Sequence, residues 1–405
     1  MERFMRIYTA IKFIIYYLCF AFIIYQNLLS LEQGNVLRTT YQFSRWPSEL
    51  TPHKKGSFHS SQWNLRHWWK DSEEFHEWSW EFAFETSSSF QSLAGAGFQN
   101  TTESPLRLFD MHSELRNSTA SKHTISIDRF WYHWRYKNFD ITLGRQAIGL
   151  GTSHFISVLD IMAPFMPGTL DSTYRPGVDA IRIQTAYGES GERDFIAAFS
   201  PEESMHSFLY RQRLLRGNYD FESIIGRVYE RNFLGFGFEG SKGRVGQWGE
   251  LAFFERKNSE MLRTGSEKFA FSAVFGLEYF LSDGREWGIS YFHQDFGASD
   301  GLQRLNLITE PIANQGWLTL SGRNYAHLRF SHLIRPLVKA NYNAVFNLQD
   351  SSGFYQPRVD VNLRDNINLS IFAWITSGKS SSNQIVSSEF GSMANGVGLF
   401  LQYYF

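Results

Sequence analysis

The chain has 405 residues, of which 17% are aromatic, yet its mean hydropathy is negative. A soluble globular protein rarely combines so many aromatic side chains with so much polarity, whereas a membrane β-barrel requires both, because its strands alternate lipid-facing and lumen-facing residues. The 39 basic and 40 acidic residues are balanced. This balance argues against a nucleic-acid partner, since such proteins need a basic excess to displace phosphate counterions.

The N-terminus has the layout of a secretory signal. Three basic residues precede the apolar run 13–25, and polar residues follow it. A basic stretch before about a dozen apolar residues is typical of a signal peptide, and the run is short for a membrane-spanning helix, which needs about 20 residues. We therefore predict a signal peptide over residues 1–30. The alternative is a retained anchor helix.

Cysteine and histidine usage bears on cofactors. The one cysteine, Cys19, lies inside the apolar run. Once the signal peptide is removed, the exported chain has no thiol for a disulfide, a Cys-ligated metal or a c-type haem. The twelve histidines are scattered without the close spacing of metal ligands. We accordingly predict no cofactor and no bound metal.

The remainder of the chain is divided into an extension and one barrel domain. Alternation weakens towards residues 31–120. Because the count of strands begins at about residue 58, we assign 31–57 to an N-terminal extension and 58–405 to the barrel. Three later segments, 269–281, 338–348 and 366–376, place apolar residues at every second position. Alternation over roughly ten residues is what a tilted strand needs to cross a bilayer.

The predicted connections also alternate in length. Counting back from the C-terminus, long stretches such as 377–393 and 297–316 alternate with short turns such as the one at Pro336. Membrane barrels have short periplasmic turns and longer external loops. We predict an all-β fold, a transmembrane antiparallel up-and-down β-barrel of about 16–18 strands. The alternative is a soluble β-sandwich or propeller, which would use shorter strands.

The longest stretch without strand character in the middle of the chain is 148–177. It is too apolar for disorder, with Phe155, Ile161 and Phe165 among its residues. Long irregular segments in compact folds are usually functional, and the barrel interior is the place available for these side chains to pack. We therefore predict an inserted loop that folds inward and narrows the pore.

Charged residues near this loop form a predicted selectivity zone. Carboxylates and arginines that oppose each other across a narrow pore create a transverse field, which selects the permeating solutes. The predicted pore-lining residues are Asp160, Asp171, Asp179, Arg129, Arg135, Arg182, Arg323 and Arg329. The alternative is that these charges merely pair with one another inside a wet lumen.

The C-terminal segment 397–405 has apolar residues at every second position and ends in Phe405. It resembles the closing-strand signal of Gram-negative outer-membrane proteins, which their assembly machinery recognises. The resemblance implies that Leu401, Tyr403 and Phe405 form an assembly signal. It also implies that the exported protein resides in the bacterial outer membrane, with outer-membrane lipid and the assembly machinery as partners.

A second resemblance rests on the segments GRQAIGLG at 144–151 and YRPGVDA at 174–180. They are similar to a segment of porin-like and alginate-export-like barrels, and the similarity does not extend beyond residues 144–180. It implies a channel for small solutes. No binding residue of that family is carried over.

The sequence therefore predicts a porin-like channel for passive diffusion of small solutes or ions, not an enzyme, and it allows a homotrimer. One alternative is a non-conducting structural or partner-binding barrel. A second is an outer-membrane lipid hydrolase, in which a histidine and a serine two residues apart on a strand act together. His59 and Ser61 have this spacing.

Overall fold

The computed structural model describes most of the chain after the predicted signal peptide. Residues 1–30 lie outside the described part. Within that part, no helix is long and apolar enough to cross a membrane. The described residues are 32–45, 57–72, 75–89, 104–118, 121–165, 174–257, 268–300, 303–304, 307, 317–318, 320–379 and 388–405. For residues 57, 58, 88, 89 and 392, only the backbone is described.

The described residues form nineteen β-strands, almost all of them long enough to span a bilayer when tilted. In chain order they are β1 (Glu32–Arg45), β2 (Ser57–Ser72), β3 (His76–Ser89), β4 (His112–Asn117), β5 (Ser121–Tyr136), β6 (Phe139–Gln146), β7 (Val178–Tyr187), β8 (Gly191–Ala198), β9 (Ser207–Arg216), β10 (Tyr219–Val228), β11 (Arg231–Lys242), β12 (Val245–Glu255), β13 (Phe269–Phe280), β14 (Glu286–Gln294), β15 (Asn324–Arg335), β16 (Val338–Asn347), β17 (Ser352–Arg364), β18 (Ile367–Ser377) and β19 (Asn395–Tyr404).

Eighteen of these strands close into a ring. Each is antiparallel to its neighbours, and β19 pairs with β1 along its whole length, from Val36 opposite Tyr404 to Arg45 opposite Asn395. The remaining strand, β4, stands outside the ring order, because β3 pairs directly with β5 and β4 lies on the same edge of β5 as β6. The predicted transmembrane up-and-down barrel of 16–18 strands is confirmed. Closure leaves no free edge to meet lipid.

Alternation sorts the side chains between the two faces of the wall. In β13, Phe271, Phe275 and Leu277 are exposed on the outside, whereas Ala270 and Val274 are buried towards the interior. Successive residues of a strand point to opposite faces, so one apolar row meets lipid while the other meets the lumen and its contents. This is the pattern that identified the strands in the sequence.

The barrel begins earlier than predicted. The range 31–57 was assigned to an N-terminal extension, but residues 32–45 form β1, which pairs with both β2 and β19 and so closes the ring. Its outward row contains Leu37, Thr39 and Tyr41, in which a threonine interrupts the apolar residues. The interruption explains why the alternation was not recognised here.

The two ends of the barrel differ. Short turns such as 281–285 and 336–337 lie at one end, together with the start of β1 and the end of β19. Longer connections such as 147–177, 295–323 and 378–394 lie at the other end. In membrane barrels the short turns are periplasmic, so the long connections are on the external side. This confirms the predicted alternation of long and short connections.

Where β6 ends, another segment of the chain takes its place in the barrel wall. The chain turns into the interior after β6, and the segment before β4 takes over the vacated hydrogen-bonding partners. The amide of Asp179 donates to the Leu106 carbonyl (2.8 Å), and the amide of Ile127 donates to the Met111 carbonyl (3.0 Å). The chain can thus send a loop into the lumen without opening the sheet.

A buried ion pair marks this junction. Arg145 Nε lies 2.7 Å from Asp179 Oδ1, and Arg145 Nη2 lies 2.9 Å from Asp179 Oδ2. Asp179 shares the outward-facing register of Ile181, which is exposed, and its Oδ2 also accepts the Phe109 amide (3.1 Å). The sequence placed Asp179 near the constriction. In the structure it is a wall residue, because its neighbours in β7 set which way its side chain points.

The Asp179–Arg145 pair should contribute strongly to stability. Asp179→Asn leaves a buried guanidinium without its counter-charge and should lower the free energy of unfolding by about 3 kcal/mol. Asp140→Asn removes the exposed pair with Arg135 (3.2 Å) and should change it by less than about 1 kcal/mol. Denaturant unfolding of both variants in detergent micelles measures the difference. Equal effects would contradict the assignment of Asp179 to the junction.

Candidate functional site

The inward loop, residues 147–177 between β6 and β7, is described over 147–165 and 174–177. Its apolar side chains are buried against inward-facing residues of the wall rather than exposed outside the barrel. Leu159 and Met162, for example, belong to the same buried cluster as Ile224 of β10 and Ala252 of β12. The described part of the loop therefore packs against the inner face of the wall.

One carboxylate of the wall anchors this loop. Glu250 faces inward from β12, is 1% exposed, and receives five hydrogen bonds from the loop. A buried carboxylate needs such donors, and irregular backbone inside a protein needs acceptors. The donors are the backbone amides of Thr152 (2.5 Å), Ser153 (2.7 Å), Val158 (2.8 Å) and Leu159 (3.3 Å) and the hydroxyl of Ser157 (2.9 Å).

Glycines bring the loop close to the wall. Gly235 and Gly237 of β11 face inward, and a Cβ on Gly235 would lie 2.5 Å from Leu159 Cδ2. Gly151 has a φ of +86°, a left-handed conformation that favours glycine, and a Cβ there would lie 2.5 Å from Glu250 Oε1. Glycine inside a strand often marks close approach of another segment, and here that segment is the loop.

The tip of the loop reaches the far wall. His154 Nε2 lies 3.0 Å from Glu239 Oε1 of β11, and His154 Nδ1 lies 3.1 Å from Glu278 Oε1 of β13. The ring of Phe155 stacks on His327 of β15 with 3.9 Å between centroids and 5° between planes. The hydrogen bond with Glu278 raises the pKa of His154 above its ordinary value. The tip therefore contacts β11, β13 and β15 of the wall.

The predicted Asp160 lies at the base of the loop. It is buried, and its Oδ2 pairs with Arg175 Nη1, which also donates to the Ala163 carbonyl (2.6 Å). Burial raises the pKa of the Asp160 carboxyl to about 6, while the Arg175 guanidinium opposes that shift. Asp160 thus ties the two described parts of the loop together.

Three arginines of the wall converge where the loop returns. The guanidinium carbons of Arg66 (β2), Arg129 (β5) and Arg38 (β1) lie 3.4, 4.7 and 5.2 Å from the ring centroid of Tyr174. Arg129 Nη2 also donates to the Arg175 carbonyl (3.0 Å). We call Arg38, Arg66 and Arg129 the basic cluster. It receives the C-terminal part of the loop by cation–π contacts and a backbone hydrogen bond.

Carboxylates compensate part of this charge. Arg66 Nη1 lies 2.8 Å from Asp128 Oδ2 and 3.1 Å from Glu81 Oε1, and Arg129 Nε lies 3.4 Å from the other Glu81 oxygen. Each of these groups is largely buried. Arg66 Nη2 also lies 3.7 Å from Glu85 Oε1. The cluster is therefore part of an ion-pair network with Glu81, Glu85 and Asp128.

The basic cluster and the loop tip lie on opposite sides of the barrel. In the strand order β2 and β12 are nine positions apart, which is halfway around a ring of eighteen. The carboxylates of Glu239, Glu250 and Glu278, which we call the acidic wall, lie on β11, β12 and β13 and face inward there. The inward loop thus joins a basic side to an acidic side.

Arg129, Arg182 and Arg329 are predicted arginines on inward-facing strand positions. Arg129 belongs to the basic cluster. Arg182 Nη2 lies 2.6 Å from Asp194 Oδ2, and Arg329 Nη1 lies 3.4 Å from Glu278 Oε1. Arg329 is therefore next to the loop tip, whereas Arg182 lies in the wall between the two charged sides.

Two other predicted residues, Arg135 and Arg323, do not lie beside the described part of the loop, and a third, Asp171, is not described. Arg135 lies beside the short turn after β5, at the opposite end of the barrel, and pairs with Asp140. Arg323 lies in the connection before β15 and donates from Nε to the Gly297 carbonyl (2.7 Å). Asp171 lies outside the described residues.

Sequence reasoning did not single out the residues that hold the loop. Glu250 was missed, although it stands in the inward row of β12 between the apolar residues Trp248 and Ala252. An isolated carboxylate at an inward position is the signal that identifies such an anchor. Arg38 and Arg66 were missed because their strands show weak alternation.

Neither the predicted His59–Ser61 pair nor the Ser290–His327 contact inside the barrel is arranged for catalysis. His59 Nδ1 is 2.6 Å from the Tyr41 hydroxyl on the outside of the barrel. Inside, Ser290 Oγ is 3.1 Å from His327 Nδ1, but both are nearly fully buried and Phe155 covers the imidazole ring. A nucleophile needs room for a substrate carbonyl beside it. Among the described residues, no group of three or more metal-ligating side chains is positioned to hold an ion.

Comparisons with known proteins place the fold. The sequence matches no protein-family model and no curated protein. The structure is similar to the crystal structure of Pseudomonas aeruginosa OccK11 (OpdR), with a TM-score of 0.56, 10% identity, and coverage of 92% of this chain and 95% of that one. It is also similar to Acinetobacter baumannii OccAB4, with a TM-score of 0.56, 9% identity, and coverage of 93% and 98%.

A third similar structure is a BenF-like porin from Pseudomonas fluorescens Pf-5, with a TM-score of 0.55, 10% identity, and coverage of 93% of this chain and 98% of that one. At these identities the similarity establishes a shared fold. The expected resemblance to Gram-negative outer-membrane porin-like barrels is confirmed at that level.

Removal of the Glu250 charge should release the loop. Glu250→Gln keeps the side-chain shape but turns an amide NH2 towards backbone donors, so hydrogen-exchange protection of residues 150–160 should fall by at least about tenfold, as expected for lost charge-assisted bonds. Glu192→Gln is the matched control, because Glu192 also faces the lumen and instead accepts from Gln184 (2.5 Å). Undiminished protection in the Glu250 variant would show that the loop is held by its apolar contacts alone.

Proposed function

We propose that the protein is an outer-membrane porin-like channel through which small solutes or ions diffuse passively. The observation that carries this proposal is a closed ring of eighteen strands with charged inward-facing side chains and an internal loop. Large barrels with polar interiors enclose aqueous paths. The fold that the chain shares with a BenF-like porin also supports the proposal of a channel.

We further propose that the inward loop narrows this path. Its tip, at His154, contacts the acidic wall, and its return, at Tyr174, contacts the basic cluster half a ring away. A segment attached at both of these places crosses the lumen. A solute can then pass only through the part of the lumen that the loop does not occupy.

The charges on either side of the loop would act on a passing solute. Arg66 and Arg129 are on one side, and Glu239 and Glu278 are on the other. Opposed charges across a narrow passage create a transverse field that orients dipolar and charged solutes. We propose that these residues, with Arg329, form the selectivity zone. Arg135, Arg323 and Asp179 lie elsewhere and are not part of it.

The outer surface accounts for the proposed location. Outward residues of β19, such as Val397 and Leu399, are exposed where they would contact lipid, and the ring of Phe405 stacks on Tyr403 with 4.8 Å between centroids. We propose that the chain is exported to the outer membrane and that Leu401, Tyr403 and Phe405 are read by the assembly machinery. A homotrimer stays a prediction.

Conductance in planar bilayers tests the channel and its constriction. The purified protein should give stepwise currents, and deletion of residues 152–172 should raise the single-channel conductance at least about twofold, because conductance follows the narrowest cross-section. An unchanged conductance would refute the constriction. A folded protein without current would favour the non-conducting, partner-binding barrel.

The C-terminal residue should matter for assembly. Phe405→Ala removes the last outward aromatic ring and should reduce the fraction of protein that reaches the outer membrane folded, measured by the heat-dependent shift of the folded barrel on a gel. Tyr404→Ala is the matched control, since Tyr404 belongs to the alternate, inward register opposite Val36. Equal losses in the two variants would mean that the assembly machinery recognises large side chains at the C-terminus whichever face of the strand they are on.

A further inference from the structure

The loop tip contains a histidine held between two carboxylates. His154 Nε2 lies 3.0 Å from Glu239 Oε1, and His154 Nδ1 lies 3.1 Å from Glu278 Oε1. Both ring nitrogens are thus at hydrogen-bonding distance from acceptors on two different strands. The imidazole is only partly buried, so the lumen can supply or remove its proton.

The protonation state decides how many of these contacts can form. An ionised carboxylate only accepts hydrogen bonds, and a neutral imidazole has one N–H donor, so it can satisfy one of the two acidic partners. Its second nitrogen then turns a lone pair towards a carboxylate. The imidazolium cation donates from both nitrogens and adds charge attraction to both bonds.

We propose that His154 is a proton-operated latch, which holds the tip of the inward loop on the acidic wall when protonated and releases it when neutral. The inference rests on the proposed channel function, because the loop tip then regulates the path of the solute. Release is limited to the tip, since Glu250 keeps its bonds to the loop backbone on either side.

Other charged or titratable groups lie around the loop tip, and none of those named here replaces His154 between the two carboxylates. Arg329 of β15 lies 3.4 Å from Glu278 and shares that carboxylate with the histidine. Along the loop, Asp160 is engaged by Arg175. Among the described residues, other groups that face the tip or its partners are Trp248 of β12, His327 of β15 beneath Phe155, Glu286 of β14 beside Arg329 and Lys339 of β16 beside Glu286.

The direction of the pH dependence follows from the contacts. The hydrogen bond with Glu278, with help from Glu239, raises the pKa of His154 above its ordinary value of 6.5. A group whose pKa is raised on docking stabilises the docked state fully below its ordinary pKa and loses that effect as the pH passes the raised value. The tip is therefore latched in acid and free in alkaline solution.

Single-channel recording between pH 5.5 and 8.5 tests the latch with a pair of opposite variants. The wild-type ratio of released to latched current levels should rise by about tenfold across the titration, as expected for the loss of one charge-assisted hydrogen bond. His154→Gln, which carries no charge, should show the released level at every pH. His154→Arg, which keeps its charge, should show the latched level at every pH.

A matched control and a second readout separate this proposal from the channel proposal. His133→Gln should keep the wild-type pH profile, since His133 lies in the lumen near the opposite end, bonded to Thr142 (3.0 Å). Hydrogen exchange of residues 154–157, corrected for the intrinsic pH dependence, reports tip release even in a barrel that carries no current. A pH profile that survives in His154→Gln, or tip protection that is the same at both pH extremes, would overturn the latch.

Discussion

The arrangement of the lumen depends on one buried carboxylate. Among the described residues, no cation donates a hydrogen bond to Glu250, and five donors of the loop compensate its charge instead. A loop inside a barrel has the converse problem, because its amides have lost water and have no strand partner. Each group removes the cost of burying the other. The loop consequently has one place to dock, and its tip and its return are positioned from there.

That docking requires changes in the wall. Gly235 leaves the space that Leu159 occupies, and β6 ends early so that the chain can turn inwards. β4 and the segment before it take the place of β6 beside β5, and the Arg145–Asp179 pair links the strands at this junction. A sheet with an opening at this height would expose unpaired backbone groups, which is costly in a membrane. The internal loop and the repaired wall are therefore one structural feature.

Closure of the ring determines which charged side chains face each other across the lumen. The basic cluster and the acidic wall come from strands far apart in the chain, and closure places them on opposite sides of the lumen. The inward loop joins them, with Tyr174 among guanidiniums at one end and His154 between carboxylates at the other. A loop held by charge at both ends is stable against the wall yet sensitive to a single proton at its tip.

The sequence by itself predicted the membrane barrel, a range of 16–18 strands, the alternation of its connections and an apolar segment between two strands. These follow from local periodicity, because every second side chain of a strand faces lipid whatever its partners are. Only the tertiary structure decided which charges meet. Thr152 and Glu250 are 98 residues apart, and Asp160 and Asp179 look alike in the sequence although one lies in the loop and the other in the wall. Partner choice between distant strands depends on how the ring closes, and no local pattern records it.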